Sequence, residues 1–141
     1  MMITTKLAGG ETKSFDNIAN FNGSVLDAEA MEISAVGVLS GFKISDVPSV
    51  LKLMITKCHK GGVLSIVERD MQRAATILKD GDFNDVDTLN KSITKNEKFN
   101  CFLTISYVEA LVQQLKIQDV RVTGREICSS NQFILTLRRE N

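Results

Sequence analysis

The sequence predicts an α/β protein with a Rossmann-like, mostly parallel sheet that ends in a C-terminal antiparallel hairpin. Residues 33–70 follow the order strand, helix, glycine turn, strand, and such βαβ units produce parallel sheets. Residues 120–127 and 132–139 are strand-like and are separated by a short polar stretch, as in a hairpin. The chain has 141 residues, about the size of one domain. We therefore expect a single domain over residues 1–141.

The N-terminal part of the chain contains four candidate strands of unequal strength. Residues 2–7 run directly into a glycine pair at positions 9 and 10. Residues 17–21 and 23–27 are weaker candidates. Residues 33–42 are small and apolar, which is typical of a strand that is buried on both faces.

A helix is expected after this last strand. Residues 46–60 carry an apolar stripe at helical spacing, and Ser45 or Asp46 can serve as the N-cap. Two glycines follow the helix directly. We expect Gly61 or Gly62 to end the helix in a left-handed conformation.

Residues 63–67 complete the βαβ unit as an apolar strand, which we expect to be the parallel neighbour of residues 33–40. Glu68 and Asp70 follow this strand. Open α/β sheets bind ligands at the carboxyl ends of their strands, so both acids are candidate functional residues. Asp70 is equally well placed to cap a helix that starts at residue 71.

Two further helices and the hairpin complete the predicted fold. Residues 70–82 fit one helix, and residues 104–116 fit an amphipathic helix capped by Thr104 or Ser106. The polar residues 83–100 between them are helical in part and fit an insertion or a mobile lid. Helical and strand periodicity places six side chains in the core: Leu51, Met54, Ile66, Val108, Leu111 and Leu115.

Charge and composition argue against several classes of function. Lysine plus arginine and aspartate plus glutamate number 17 each, and neither half of the chain is strongly basic, so no nucleic-acid partner is expected. No apolar run approaches the roughly 20 residues that span a bilayer, so we expect no membrane partner. The N-terminus lacks a signal-peptide pattern, which favours a cytoplasmic location. Three dispersed cysteines and one histidine predict no metal site.

Four segments, taken in order, resemble the class I S-adenosylmethionine-dependent methyltransferases, and in particular a small, abbreviated member from a bacterium or phage. Residues 6–10 (KLAGG) resemble the family's first strand and glycine-rich loop, and residues 26–33 (LDAEAMEI) resemble the segment after its third strand. Residues 35–70 resemble the fourth strand, the next helix with its "LKPGG" turn, and the fifth strand. Residues 102–126 resemble the last helix and the start of the terminal hairpin.

The resemblance implies a site for the cofactor S-adenosylmethionine in the loops after the first strands. Ala8, Gly9 and Gly10 would pass beneath the methionine part of the cofactor. Asn20 and Asp27 would face its ribose and adenine. No catalytic residue is implied, because methyl transfer depends mainly on alignment and desolvation.

The sequence departs from the family pattern at several of these positions. The glycine loop at residues 8–10 is A-G-G rather than G-x-G, and Asn20 stands where the family carries an acid for the ribose. Ser40 and Gly41 replace the Glu-His pair that often follows the fourth strand. The segment before that strand is also short, so the cofactor half of the fold is abbreviated.

Three functions are compatible with this pattern. The first is a methyltransferase that uses S-adenosylmethionine to modify a small molecule or a sugar. The second is a methyltransferase-like protein without catalysis that serves as a binding or interaction module. The third is an enzyme of the same fold with other chemistry on a nucleotide. A homodimer is also compatible, because a short sheet leaves an exposed edge.

Overall fold

The computed structural model describes residues 1–94, 99–117, 119–128 and 131–140. The described chain forms six strands and five α-helices, with a 3-10 turn at Leu39–Gly41. The elements in chain order are β1 (Met2–Leu7), β2 (Thr12–Phe15), α1 (Ile18–Ser24), β3 (Ala30–Val36), α2 (Val47–Lys57), β4 (Cys58–Arg69), α3 (Met71–Asp80), α4 (Phe83–Thr94), α5 (Ile105–Gln114), β5 (Val120–Ile127) and β6 (Gln132–Arg139).

The strands form one mixed sheet in the order β2-β1-β3-β4-β6-β5. Among the described strands only β3 and β4 pair in parallel, and the other neighbouring pairs are antiparallel. The prediction of a mostly parallel sheet was therefore wrong. The expected parallel pair is confirmed, with Ile33 opposite Leu64. The C-terminal antiparallel hairpin of β5 and β6 is confirmed as well.

The direction of β1 is the main difference from the expected sheet. β1 is antiparallel to β3, with Met2 opposite Val36 and Leu7 opposite Ala30. Residues 8–11 then connect β1 to β2 as a hairpin. Parallel strands need a connection of about a dozen residues or more, so this short link can join β1 only to an antiparallel neighbour.

The two weak strand predictions at 17–21 and 23–27 were wrong. Residues 18–24 form α1, because the side chain of Asn17 caps the helix and accepts a hydrogen bond from the backbone nitrogen of Asn20 at 2.8 Å. Phe21 anchors the helix in the core.

β3 is shorter than the predicted strand at 33–42. It ends at Val36, because Gly37 has a φ of 65°, in the left-handed region that favours glycine. The 3-10 turn at Leu39–Gly41 follows. The chain therefore leaves the sheet at this point while β4 continues beside it.

α2 ends at Lys57, three residues before the predicted end of the helix. Residues 58–60 already belong to β4, and Gly61 adopts a φ of 83° inside that strand, where the register between β3 and β4 shifts. The left-handed glycine therefore allows a bulge rather than a helix end. A β-carbon at Gly62 would lie 2.8 Å from the carbonyl oxygen of His59, so the bulge excludes a side chain there.

The other two predicted helices are confirmed. Asp70 caps α3 by accepting a hydrogen bond from the backbone nitrogen of Arg73 at 3.3 Å. Thr104, and not Ser106, caps α5 by accepting from the backbone nitrogen of Tyr107 at 3.1 Å. The segment 83–100 is helical over α4, while its residues 95–98 lie outside the described part of the chain, as do residues 129 and 130 of the hairpin turn.

Helices α1, α2 and α5 pack on one face of the sheet and form the core with it. Five of the six predicted core residues are buried, and Leu115 is half-buried at the margin. α3 and α4 pack against each other, and their buried residues Ala74 and Leu89 lie outside the main cluster. No helix in the described residues is long and apolar enough to cross a bilayer.

The opposite face of the sheet is open. Its side chains alternate with the core residues along each strand, and none of them is buried. The central ones are Thr4, Lys6, Glu32, Ser34, Val36, Val63, Ser65, Val67, Ile134, Thr136 and Arg138. The described sheet is thus covered on one side only.

Leu111→Ala tests the packing of α5 on the sheet. Leu111 is 6% exposed, so we expect the truncation to lower the free energy of unfolding by roughly 2–5 kcal/mol. Urea unfolding followed by circular dichroism measures the change. Tyr107→Ala on the exposed side of the same helix is the control, and a loss below about 1 kcal/mol is expected there. Equal losses for the two variants would contradict this packing.

Candidate functional site

A cavity of about 420 Å³ opens at the carboxyl ends of β3 and β4. Small-molecule sites in proteins commonly have volumes of about 300–1,000 Å³. Residues from both strands, from the 3-10 turn and from the segment before α5 line the cavity. The lining residues that matter most are Val36, Ser40, Gly41, Glu68, Phe99 and Asn100.

The cavity exists because β3 and β4 separate at their carboxyl ends. Gly37 turns the chain out of the sheet, whereas β4 continues through Arg69. The antiparallel β1 begins beside this gap, so Met1 also lines it. The position agrees with the general rule that α/β sheets bind ligands where parallel strands end.

Glu68 is the buried acid of this site, with only 2% of its surface exposed. Its Oε1 accepts a hydrogen bond from the backbone nitrogen of Ser40 at 3.1 Å, and its Oε2 accepts one from the Ser40 hydroxyl at 2.8 Å. Hydrogen bonds of this kind compensate a carboxylate for the loss of water. Ser40, which departs from the family pattern, therefore has a defined role in holding Glu68.

Asn100 ties the segment before α5 to the 3-10 turn. Its backbone nitrogen donates to the Ser40 carbonyl at 2.8 Å, and its Nδ2 donates to the Gly41 carbonyl at 2.5 Å. Beside it, the ring of Phe99 lines the cavity and lies 6.4 Å from the ring of Phe102. The site thus combines an aromatic side chain, Phe99, with polar groups that are held in place by hydrogen bonds.

Cys101 follows Asn100 in the chain, and its Sγ donates to the Leu39 carbonyl in the 3-10 turn at 3.6 Å. Burial raises the pKa of the Cys101 thiol, and the Glu68 carboxylate raises that pKa further. The thiolate, not the thiol, is the nucleophilic form of cysteine. The arrangement therefore lowers the fraction of Cys101 that is thiolate at neutral pH.

Asp70 has a structural place in this region. It is 4% exposed, it caps α3, and its backbone nitrogen donates to the Asn131 carbonyl at 2.8 Å. Of its two sequence interpretations, the structure therefore favours the helix cap.

The predicted glycine loop lies at the other end of the sheet. The backbone nitrogen of Ala8 donates to the Glu29 carbonyl at 3.0 Å, just before β3 begins. Gly10 has a φ of 91° in the turn between β1 and β2, and no atom lies within 4 Å of a β-carbon built at Gly9. Because β1 is antiparallel to β3, its carboxyl end faces away from the cavity.

The predicted ribose and adenine contacts also lie away from the cavity. Asp27 precedes β3 and forms an ion pair with Lys57 at 3.1 Å. The Nζ of Lys57, a buried residue, also donates to the Asn22 carbonyl at 3.3 Å, so Asp27 helps to neutralise a buried ammonium. Asn20 is exposed on α1. The structure brings the glycine loop and Asp27 to the amino end of β3, but it brings none of the five predicted cofactor residues to the cavity.

Sequence reasoning identified Glu68 but missed its neighbours. The signal for Ser40 was present, since it departs from the family pattern directly after a buried strand. Phe99 and Asn100 gave no such signal, because they end a polar segment whose contact with the 3-10 turn is made over about 60 positions of sequence.

The fold is similar to that of several solved structures. One is TnmH, with a TM-score of 0.58 at 12% sequence identity. Another is NcsB1, an O-methyltransferase from neocarzinostatin biosynthesis solved with S-adenosylmethionine and 2-hydroxy-5-methyl naphthoic acid, with a TM-score of 0.52 at 14% identity. A third is a possible exported protein from Bordetella parapertussis, with a TM-score of 0.57 at 14% identity. No protein-family model matches the sequence, and no curated protein matches it.

These superpositions cover 84%, 84% and 82% of this chain but only 33%, 31% and 40% of the three solved chains. The chain therefore spans about a third of the length of the structures it resembles. At such low identity the likeness concerns the fold alone, which is methyltransferase-like.

Ser40→Ala tests the support of Glu68. The substitution removes the hydroxyl that donates to a buried carboxylate, so we expect a loss of about 1.5–3 kcal/mol in the free energy of unfolding. Ser49→Ala, at an exposed position of α2, is the matched control and should change stability by less than about 0.5 kcal/mol. Chemical denaturation of both variants checks the prediction, and a neutral effect at Ser40 would contradict the described contact.

Cys58→Ala tests the burial of the first residue of β4. Burial raises the pKa of the Cys58 thiol to about 12, although the Arg139 guanidinium opposes the rise. The unfolded thiol ionises near its ordinary pKa of about 8.5, so the unfolded state binds fewer protons than the folded state between these two values. This contribution to stability is complete below the lower pKa and is lost as the pH rises towards the higher one.

We therefore expect the stability difference between wild type and Cys58→Ala to shrink between about pH 8 and about pH 10.5. Urea unfolding at the two pH values measures it. Val25→Ala, which truncates a buried side chain without a titratable group, should keep a constant difference. A constant difference for Cys58→Ala would place that thiol in contact with solvent.

Proposed function

We propose that this chain is a methyltransferase-like binding module without methyl-transfer activity of its own, and that it takes a small molecule in the cavity at the carboxyl ends of β3 and β4. One observation carries the proposal. The glycine loop at residues 8–10 lies at the amino end of β3, whereas the cavity lies at its carboxyl end. The two parts that a cofactor of the methyltransferase family would need together are thus at opposite ends of one strand.

The residues present do not fit S-adenosylmethionine at the position that the resemblance implies. Asp27 is engaged with Lys57, and Asn20 offers no charge for a ribose diol. The connection over residues 8–11 turns back along β1 instead of leading into a helix whose amino end could hold the ligand. We therefore assign no step to this cofactor.

The cavity itself supports binding of a small ligand that has both apolar and polar groups. Val36 and Phe99 offer apolar surface, while Ser40, Glu68 and Asn100 supply polar atoms. The two hydrogen bonds of Asn100 and the two of Ser40 hold these polar groups in place before a ligand arrives. Such preorganisation lowers the entropic cost of binding.

The methyltransferase remains the second candidate, and the likeness to NcsB1 with its bound S-adenosylmethionine favours it. In that case this chain would need to hold the cofactor in the cavity or at the glycine loop. The substrate would be a small molecule in either case. The two candidates therefore differ in one measurable property, which is affinity for S-adenosylmethionine.

Isothermal titration with S-adenosylmethionine separates the candidates, and we expect no heat of binding at millimolar cofactor. A glycine variant tests the loop as the cofactor site if heat is observed. Gly9→Val adds a side chain where no atom lies within 4 Å, so the fold should tolerate it. A loss of tenfold or more with Gly9→Val, about 1.4 kcal/mol, would overturn the module proposal and support the cofactor site implied by the resemblance.

Gly41→Leu tests the cavity. A β-carbon at Gly41 would meet the methyl group of Met1 at an ordinary 3.5 Å, so a longer side chain there should fill cavity space without backbone strain. We expect small aromatic fragments to shift the amide resonances of residues 36–41 and 67–69, and Gly41→Leu to abolish these shifts. Gly23→Leu, at an exposed position of α1, is the matched control. Fragment shifts that survive Gly41→Leu would contradict a ligand in this cavity.

A further inference from the structure

The open face of the sheet is organised in three rows that run across the strands. The strand register places hydroxyl side chains side by side in the middle of the face, and we name them the hydroxyl row. From β2 to β6 the hydroxyl row consists of Ser14, Thr4, Ser34, Ser65 and Thr136. Three of these short side chains, Thr4, Ser34 and Ser65, line a shallow groove on this face.

Two rows of larger side chains flank the hydroxyl row. Towards the carboxyl ends of β3 and β4 lies the apolar row, which consists of Met2, Val36, Val67 and Ile134. Towards their amino ends lies the charged row, which consists of Lys6, Glu32, Val63 and Arg138. The face is therefore graded from apolar to charged along the strand direction.

This face is unusual for the strands that it exposes. Parallel strands are almost always covered on both faces, yet β3 and β4 are covered on one. Met2 is 56% exposed and Val36 is 38% exposed on the open side. Exposed apolar side chains in a continuous row indicate a surface that another molecule covers.

We propose that this face binds a second copy of the chain, face to face, around a two-fold axis that runs parallel to the strands between β3 and β4. The inference is independent of the ligand in the cavity. Two sheets that pack with aligned strands lie about 10 Å apart. β3 of one copy then faces β4 of the other, and β1 faces β6.

The three rows select this axis. A two-fold axis along the strands keeps each row at the same height, so the apolar row meets the apolar row and the hydroxyl row meets the hydroxyl row. Val36 then faces Val67 of the second copy, and Thr4 faces Thr136. A two-fold axis across the strands would instead set the apolar row against the charged row, which would bury charges against apolar groups at high cost.

The charged row lies at the edge of the proposed interface. Glu32 lies beside Lys6 on the neighbouring strand of its own copy. Across the interface, Arg138 of the second copy faces Lys6 and lies one strand from Glu32. Lys6 and Arg138 therefore carry like charges across the interface, and Glu32 lies one strand from both of them on the same side. The long side chains of the charged row can keep their charged ends in water.

The size of the face suits one ordinary interface. Five strands at about 4.8 Å spacing and three rows at about 7 Å spacing give a flat patch of about 500 Å². Its accessible area is larger, because side chains project from it. Stable interfaces bury about 800 Å² on each partner, which is of the same order.

The interface would also complete the cavity. Val36 and Val67 belong both to the apolar row and to the cavity wall. Under the proposed symmetry the apolar row of the second copy covers the open side of that wall. Both cavities then lie at the same end of the dimer.

Sedimentation velocity of the full chain over a range of micromolar concentrations tests the proposal, and we expect a concentration-dependent dimer. Ser65→Glu introduces a charge at the centre of the hydroxyl row and should weaken dimerisation at least tenfold, with an unchanged circular dichroism spectrum. Thr4→Glu, on the same row, replaces it if Ser65→Glu fails to fold. Ser106→Glu, at an exposed position of α5, is the matched control and should leave the dimer intact.

Cross-linking tests the axis. In a background with Cys101→Ser and Cys128→Ser, a short bis-maleimide should link Thr4→Cys of one copy to Thr136→Cys of another when the two proteins are mixed. Neither protein alone should cross-link, because identical positions lie on opposite sides of the axis. A monomer at every concentration, a dimer that survives both glutamate variants, or links between identical positions would overturn the proposal. A monomer that binds a different polypeptide at this face would overturn it too.

Discussion

The antiparallel pairing of β1 with β3 is the constraint on which the rest of this structure depends. The pairing is accompanied by a short connection over residues 8–11, which joins β1 to β2 as a hairpin. It sends the glycine loop to the amino end of β3 and brings the start of the chain to the carboxyl end. The strand that borders the parallel pair therefore contributes the edge of a cavity instead of a loop for a cofactor.

The site depends on a second local event, the exit of the chain from the sheet at Gly37. Because β3 stops there, the backbone nitrogen and the hydroxyl of Ser40 reach the carboxylate of Glu68 on the next strand. The two carbonyls at the end of the same turn then receive both hydrogen bonds from Asn100. The left-handed conformation of Gly37 thus allows β4, the 3-10 turn and the segment before α5 to be joined by hydrogen bonds among Glu68, Ser40 and Asn100.

The sequence was informative wherever a regular period was long enough. α2, α5, the parallel pair and the terminal hairpin followed from periods of 3.6 and 2. α1 was missed because it has seven residues, and its cap Asn17 was the better signal. The alternation of buried and exposed residues in β1 does not indicate whether this strand runs parallel or antiparallel to β3. The sheet was therefore wrongly predicted to be mostly parallel. Asn100 was not predictable, because its partners in the 3-10 turn are distant in sequence.

The likeness to solved structures covers 82–84% of this chain and concerns its fold alone. In a doubly wound sheet one half supplies both a cofactor loop and a layer of helices. In this chain the segment before β3 forms β1, β2 and the single short helix α1, which packs on the already covered face. The described residues before β3 therefore supply neither a loop that leads into a helix nor a second helical layer. On the open face of the sheet, the side chains are apolar near the cavity, carry hydroxyl groups in the middle and include charged groups at the far end. This order places the apolar side chains where they are best covered and the charged ones where they can remain in water.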